Sequence, residues 1–331
     1  MARYITRHLL WSVLLLVIVS AVVFVLFYVF PSADPAQLRA GRQANEDQIQ
    51  AIRESLGLDQ SILTQFWIYL KGVFTPFDLP GTDSHGPLYF GHSYQSNADV
   101  KDIIFSDLPA TGLLVAGAVI VWMAMAIPTG IISAIRSRSL LDRATMITTL
   151  VLISAPVFWL GLVALYLFSK DVGIFPIFPG IGSYAQADDF LGRCASLLLP
   201  WAVLAAATAA IYARYLRSQM IDVMEEDYIR TARAKGLPER RVIMRHVLRS
   251  AITPIVTLLG LDVAVLLAGN AILTETVFNI PGLGAETFNA IKRSDLPMIQ
   301  GITLFGAFFI VTLNLAVDIA YAYLDPRVRY E

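Results

Sequence analysis

The sequence predicts an all-α polytopic membrane protein with six transmembrane helices. Two observations predict it. Apolar residues make up 56% of the 331 positions against 15% charged, and the mean hydropathy is +0.62, well outside the composition of a soluble domain. A hydrocarbon slab of about 30 Å also needs roughly 20 apolar residues of helix, because no water inside it can satisfy the backbone. Six runs are long enough: Leu9 to Phe30, Leu108 to Ile135, Ala144 to Ser169, Cys194 to Ala213, Ser250 to Thr274 and Leu296 to Leu324. The first four contain no Asp, Glu, Lys or Arg, the fifth only Asp262 and the sixth only Asp318.

The first run follows Arg3 and Arg7 and ends in the aromatics of FYVF. It is too long for a cleaved signal and lacks a small-residue cleavage site, so residues 1–30 form a retained span. Residues 31–107 form an extracytoplasmic segment. Within it, 45–71 place Ile49, Ile52, Leu56, Ile62, Phe66 and Tyr69 near helical spacing, with Gly57 dividing two short amphipathic helices. Residues 72–96 are rich in Gly, Pro, Ser and aromatics and read as an ordered loop. Residues 108–331 hold the other five spans and the long polar loop 214–249.

Lys and Arg set the orientation. With six spans, both termini share a side with 136–143 and with 214–249, where Arg3, Arg7, Arg136, Arg138, Arg143, nine basic residues of the long loop, Arg327 and Arg329 collect. The opposite short loops hold only Lys170, Arg193, Lys292 and Arg293, so both termini are expected in the cytoplasm. The net charge of −1 averages this basic face with an acidic outer segment. A single cysteine, Cys194, excludes an internal disulfide and multi-Cys motifs, and the four His residues show no HExxH spacing. No GxxxxGK[ST] occurs, so the chain has no P-loop for ATP.

The stretch EEDYIRTARAKGLPERRVIMRHVLRSAITP, residues 225–254, is the densest in charge. Tyr228, Ile229, Ala232, Ala234 and Lys235 allow a helix that Gly236 ends in the left-handed conformation. Pro238 suits the first position of the next helix, which sets Val242, Ile243 and Val247 on one side. Arg230, Arg233, Arg240, Arg241 and Arg245 ring the turn, while Ala232, Ala234 and Gly236 let another backbone come close. On physics alone this is either a basic juxtamembrane loop against anionic lipid or a docking surface for a cytoplasmic partner.

Intramembrane acids are costly and mark sites, so Asp262 and Asp318 are either a proton relay or interhelical hydrogen bonds. Asp262, Asn270 and Thr274 fall at helical intervals on one face and, with Glu275, are candidates to line a path. ETVFNIPGLG then reads as a re-entrant plug broken at Pro281, Gly282 and Gly284, or as an interfacial turn anchored by Phe278. An intramembrane enzyme would need a nucleophile and base pair in the spans, and no GxSxG or paired His is present.

DYIRTARAKGLPERRVIMRHVLRSAITP resembles the cytoplasmic loop of ABC importer permeases of the oligopeptide/dipeptide class. RHLLWSVLLLVIVSAVVFVLFYVFPSADPA, ESLGLDQSILTQFWIYLKGV, DLPATG, ISAPVFWLG, ETVFNIPGLG and SDLPMIQG resemble further signatures in the same order. The chain departs from that pattern where Ser32 and Ala33 are inserted, in the loop 72–96 (of which only Gly91, His92 and Ser93 match), and at Arg230, which replaces a glutamate.

The resemblance implies a MetI-like type I ABC importer permease fold in the bacterial plasma (inner) membrane. It implies a non-catalytic pore subunit for di- or oligopeptides, paired with a second homologous permease. Two cytoplasmic ATPase subunits would bind the ATP and Mg²⁺, an extracytoplasmic substrate-binding protein would deliver peptide, and no nucleic-acid partner is expected. Asp227, Tyr228, Arg230, Thr231, Ala232, Arg233, Ala234, Gly236, Leu237 and Arg240 would form the knob that couples to the ATPase. Asp262, Asn270, Thr274, Glu275, Phe278, Pro281 and Gly282 are the path and gate candidates. The alternative is a proton-coupled secondary transporter using Asp262.

Overall fold

A computed structural model describes residues 2–29, 34–40, 44–74 and 90–324. Most of the loop 72–96, Arg327, Arg329 and the side chain of Asp318 lie outside the described residues. Regular structure among the described residues is helical, with only two isolated bridges, His92 with Asp99 and Ser169 with Phe178.

Helix α1 (Ala2–Phe24) continues through a π-helical turn at Val25–Val29. Three short helices follow: α2 (Pro35–Ala40), α3 (Glu46–Ser55) and α4 (Ile62–Phe74). A capping box starts α3, in which the Gln48 amide donates to the Asn45 side chain at 2.8 Å and the Asn45 amide returns the bond at 3.2 Å. Gly57 separates α3 from α4 as the spacing predicts. Phe66 and Tyr69 of α4 meet Phe24 of α1 at ring distances of 5.3 and 5.9 Å, but Ile62, expected on the same face, is 56% exposed.

Helix α5 (Val100–Ile135) begins before the apolar run it contains, capped by Asp99, whose side chain accepts from the Lys101 amide at 2.9 Å. The third run, expected to be one span, is instead α6 (Leu140–Ser154) and α7 (Val157–Phe168), bent by 102°. Pro156 causes the bend: it offers no amide to the helix and pushes Ala155 into an extended conformation, φ −85°, ψ 127°. Among the described residues, five helices are long and apolar enough to cross a membrane, or six when the bent pair is counted as one span.

Helix α8 (Phe190–Met224) runs well past the fourth apolar run, so the expected loop 214–249 opens with continued helix. After α9 (Asp227–Ala234) and α10 (Glu239–Arg241), a π-helical turn at Val242–Val247 leads into α11 (Leu248–Ala251). Pro238 caps α10 rather than occupying its first position. The fifth run is also interrupted. α12 (Thr253–Val265) meets a π-helical turn at Leu266–Asn270, where Gly269 has φ +94°, before α13 (Ile272–Phe278). Asp262, Asn270 and Thr274 therefore do not continue one helical face, because the helix that would carry the spacing breaks at Gly269. α14 (Leu283–Arg293) and α15 (Leu296–Leu324) complete the chain, and Gly284, expected to break the helix, lies inside α14.

Lipid is as apolar as leucine, so helices in it associate through close packing and polar links rather than through expulsion of water. The α5–α8 pair uses both. A Cβ at Gly117 would overlap the Trp201 ring, so the glycine leaves the notch that the indole fills, and Trp201 Nε1 donates to the Leu113 carbonyl at 3.2 Å. Around this seam Leu114, Trp122, Leu197, Leu216 and Met220 form a core that extends to Ile229, Val242 and Val247 below α8. A second, smaller core joins Phe90, Val100, Ile104, Leu283, Met298 and Ile302.

Candidate functional site

The charged stretch folds as a compact projecting turn. At the end of α9 the Gly236 amide donates to the Arg233 carbonyl at 2.9 Å and the Leu237 amide to the Ala232 carbonyl at 3.4 Å. These bonds define a Schellman ending, and Gly236 supplies the left-handed φ of +75° that it requires. No atom lies within 4 Å of a Cβ built on Gly236, so the tip faces open space.

Beneath the tip, Ile229, Val242 and Val247 are fully buried and Ile243 nearly so, placing the expected apolar side against the end of α8. The base is stitched by a 3.0 Å bond between the Tyr228 and Ser250 hydroxyls. Arg233 forks onto Glu239 across the turn, with Nη2 to Oε1 at 2.8 Å and Nε to Oε2 at 3.2 Å. That guanidinium holds the Glu239 carboxyl below its ordinary value, so the pair is intact at neutral pH and is lost only as acid protonates Glu239. Of the expected knob residues, Asp227, Tyr228, Arg230, Thr231, Arg233, Ala234, Gly236 and Arg240 are exposed, Leu237 is partly exposed, and Ala232 packs inward.

The path and gate candidates scatter. Asn270 and Pro281 are exposed. Asp262 is half-buried and its Oδ2 accepts from the Tyr212 hydroxyl at 2.6 Å, linking α12 to α8. Sequence spacing found no partner for Asp262, because Tyr212 lies fifty positions away. Thr274, Glu275, Phe278 and Gly282 are buried in the chain's own fold.

Glu275 has a specific role there. Its Oε1 accepts from Thr111 at 2.7 Å and its Oε2 from the Ala285 amide at 2.9 Å, while Thr111 Oγ1 in turn accepts from the Leu283 amide at 2.9 Å. A buried carboxylate and a hydroxyl thus cap the start of α14, where amides are orphaned and the helix dipole favours negative charge. Gly282 is part of the cap, since a Cβ there would come within 2.6 Å of both Glu275 carboxylate oxygens.

Two further carboxylates form links that sequence reasoning missed. Asp295 is 3% exposed; it accepts from Ser93 Oγ and, at 3.1 Å, from the Tyr94 amide, joining the Gly91–Ser93 stretch to SDLPMIQG. Asp142 is 4% exposed and pairs with Arg217 of α8, with Nε to Oδ1 at 2.6 Å and Nη2 to Oδ2 at 2.7 Å. Their positions inside or beside apolar runs were the only available signal.

Residues 126–330 match the family described as binding-protein-dependent transport system inner membrane component, and residues 1–115 match its N-terminal companion family. The chain belongs to this family. The permease is also similar along its whole length to individual relatives. A Brucella abortus protein provisionally named a peptide transport system permease is 36% identical over 331 residues, covering all of both chains. The glutathione transport system permease protein GsiC of Escherichia coli K12 is likewise 36% identical over 331 residues, again covering all of both chains. The fold is that of MetI-like type I importer permeases, and the chain is a multi-pass, non-catalytic membrane component of an ABC transport system.

Proposed function

We propose that the permease is one of two pore-forming subunits of an ATP-driven importer of short peptides. It pairs with a second, homologous permease, two ATPases grip the Gly236 turn from the cytoplasm, and an extracytoplasmic binding protein delivers the cargo. Both termini lie on the ATPase side, where the basic residues collect. The observation that carries this reading is the turn itself. Rigidly capped, apolar beneath, ringed by Arg and open above Gly236, it has the form of a knob that fits a groove, on a chain with no P-loop of its own. The cargo class draws on relatives named for peptide and for glutathione, which is itself a tripeptide.

The rival reading, a proton-coupled carrier relying on Asp262, is less favoured. Tyr212 accounts for that carboxylate as an interhelical hydrogen bond, which needs no proton movement. The deciding measurement is uptake of labelled di- and tripeptides, glutathione included, into proteoliposomes holding the purified complex with binding protein and ATP. Accumulation that survives a protonophore and Asp262→Asn supports the importer. Accumulation by this chain alone, driven by a pH gradient and abolished by Asp262→Asn, refutes it.

A further inference from the structure

Four donors converge on the Asp142 carboxylate from three parts of the fold. Ser133 Oγ comes from the end of α5, the Arg138 amide (2.8 Å) from the turn after it, and Arg217 Nε and Nη2 (2.6 and 2.7 Å) from α8. Asp142 also belongs to the first turn of α6, where its own amide donates to the cap Ser139 at 3.2 Å. The pair is shielded, with side-chain exposures of 5% for Asp142 and 23% for Arg217. A two-point Arg–carboxylate fork fixes orientation as well as distance, so the start of α6 cannot rotate or slide against α8 without breaking it.

The two ends of this arrangement differ. From Arg217, α8 continues to Met224, and α9 then leads to the Gly236 turn. From Asp142, α6 runs to the elbow at Ala155–Pro156, whose inner side meets the core at Val157 and whose outer side is exposed. Val151 is 63% exposed and Trp159 51%, and an open apolar cleft of about 580 Å³ lies along Leu150, Ser154 and Phe158. α6 is therefore clamped at its charged end, while its elbow carries an apolar outer face. Clamping for stability alone would not need ions, since apolar residues of similar volume often serve a buried site as well.

We propose that the Asp142–Arg217 pair is a positioning joint, which makes the first turn of α6 travel with α8 when the Gly236 turn is displaced, so that the elbow at Ala155–Pro156 is repositioned. The inference rests on the importer reading above and adds to it the residues that pass the displacement into the bent span.

The test uses the whole complex, in a Cys194→Ala background, with spin labels on cysteines at Ser137 and Asp222, both exposed and flanking the joint. Distances are read without nucleotide and after trapping with ATP and vanadate. The expected result is one Ser137–Asp222 distance in both states, while a control pair joining Asp222 to Ser96 changes on trapping. Arg217→Ala and Asp142→Asn should add a second Ser137–Asp222 distance on trapping, and uptake of glutathione or trialanine per ATP hydrolysed should fall roughly tenfold, in the range of typical site-to-site coupling. Arg217→Lys keeps the charge but loses the fork, so it should fall between, and it serves where the alanine variant does not assemble. A Ser137–Asp222 distance that changes in the unaltered complex, or stays single in Arg217→Ala and Arg217→Lys, overturns the joint. Failure of the control pair to respond to ATP and vanadate, with no uptake of either probe, would instead remove the importer reading on which it stands.

Discussion

Thr111 and Glu275, 164 positions apart, meet at 2.7 Å in a fully buried bond that closes the start of α14. The hydroxyl both donates to the carboxylate and accepts the Leu283 amide, so no other small side chain of that shape replaces it. Thr111→Val keeps the volume but strands the amide, and is expected to cost about 1–3 kcal/mol, whereas Thr111→Ser loses one methyl and about 1 kcal/mol. Thermal unfolding of the detergent-solubilised permease ranks the two; equal stability would mean the hydroxyl is not a cap.

Gly282 should couple to Glu275. The methyl of Gly282→Ala collides with the carboxylate and is expected to cost about 1–3 kcal/mol by overpacking. With Glu275→Ala already present the collision is gone, so the double variant should be more stable than the sum of the single effects predicts. Additive losses in the same unfolding assay would contradict the geometry.

At Gly236 the space is open but the backbone is left-handed, so conformation and docking can be separated. Gly236→Asn tolerates that φ and should leave transport near normal, while Gly236→Asp has a similar shape but adds an anion at the tip. Insertion and assembly should survive in both. ATP-driven uptake should drop at least roughly tenfold in the aspartate variant alone if the partner groove is acidic. Equal uptake by the two variants would show that the tip carries no electrostatic contact.

The orientation is open to direct labelling. In a Cys194→Ala background, Ser96→Cys should react in whole cells with a maleimide that cannot cross the membrane, and Ser137→Cys should react only after permeabilisation. Both side chains are exposed in the chain's own fold. The reverse pattern would place the basic loops outside.

Hydropathy revealed where the chain enters lipid but not how it travels there. The six runs were legible because each is long and nearly free of charge, and the Gly236 turn because its chemistry is local: a glycine at the helix end and an apolar set behind it. The elbow at Pro156 was not, since ISAPVFWLG remains apolar throughout and an average over the run conceals a change of direction. Gly269 misled in the same way, because the regular spacing of Asp262, Asn270 and Thr274 presumes an unbroken helix. The extension of α8 was hidden by RYLRSQMIDVM, where polarity marks departure from lipid and not the end of a helix. Thr111–Glu275, Ser93–Asp295 and Asp142–Arg217 are products of the folded path, and no local period encodes which distant side chain completes a carboxylate.

The indole of Trp201 seated at Gly117 works as a key in a lock. Two smooth cylinders can slide along each other at little cost, but a ring lodged in a notch forbids axial travel, because any shift drives it against the neighbouring turns of α5. The two longest helices are therefore held in axial register at this seam. Whatever rearrangement opens a route for cargo has to be taken up elsewhere, and the chain offers two discontinuities that can supply it: the corner at Ala155–Pro156 and the left-handed residue at Gly269.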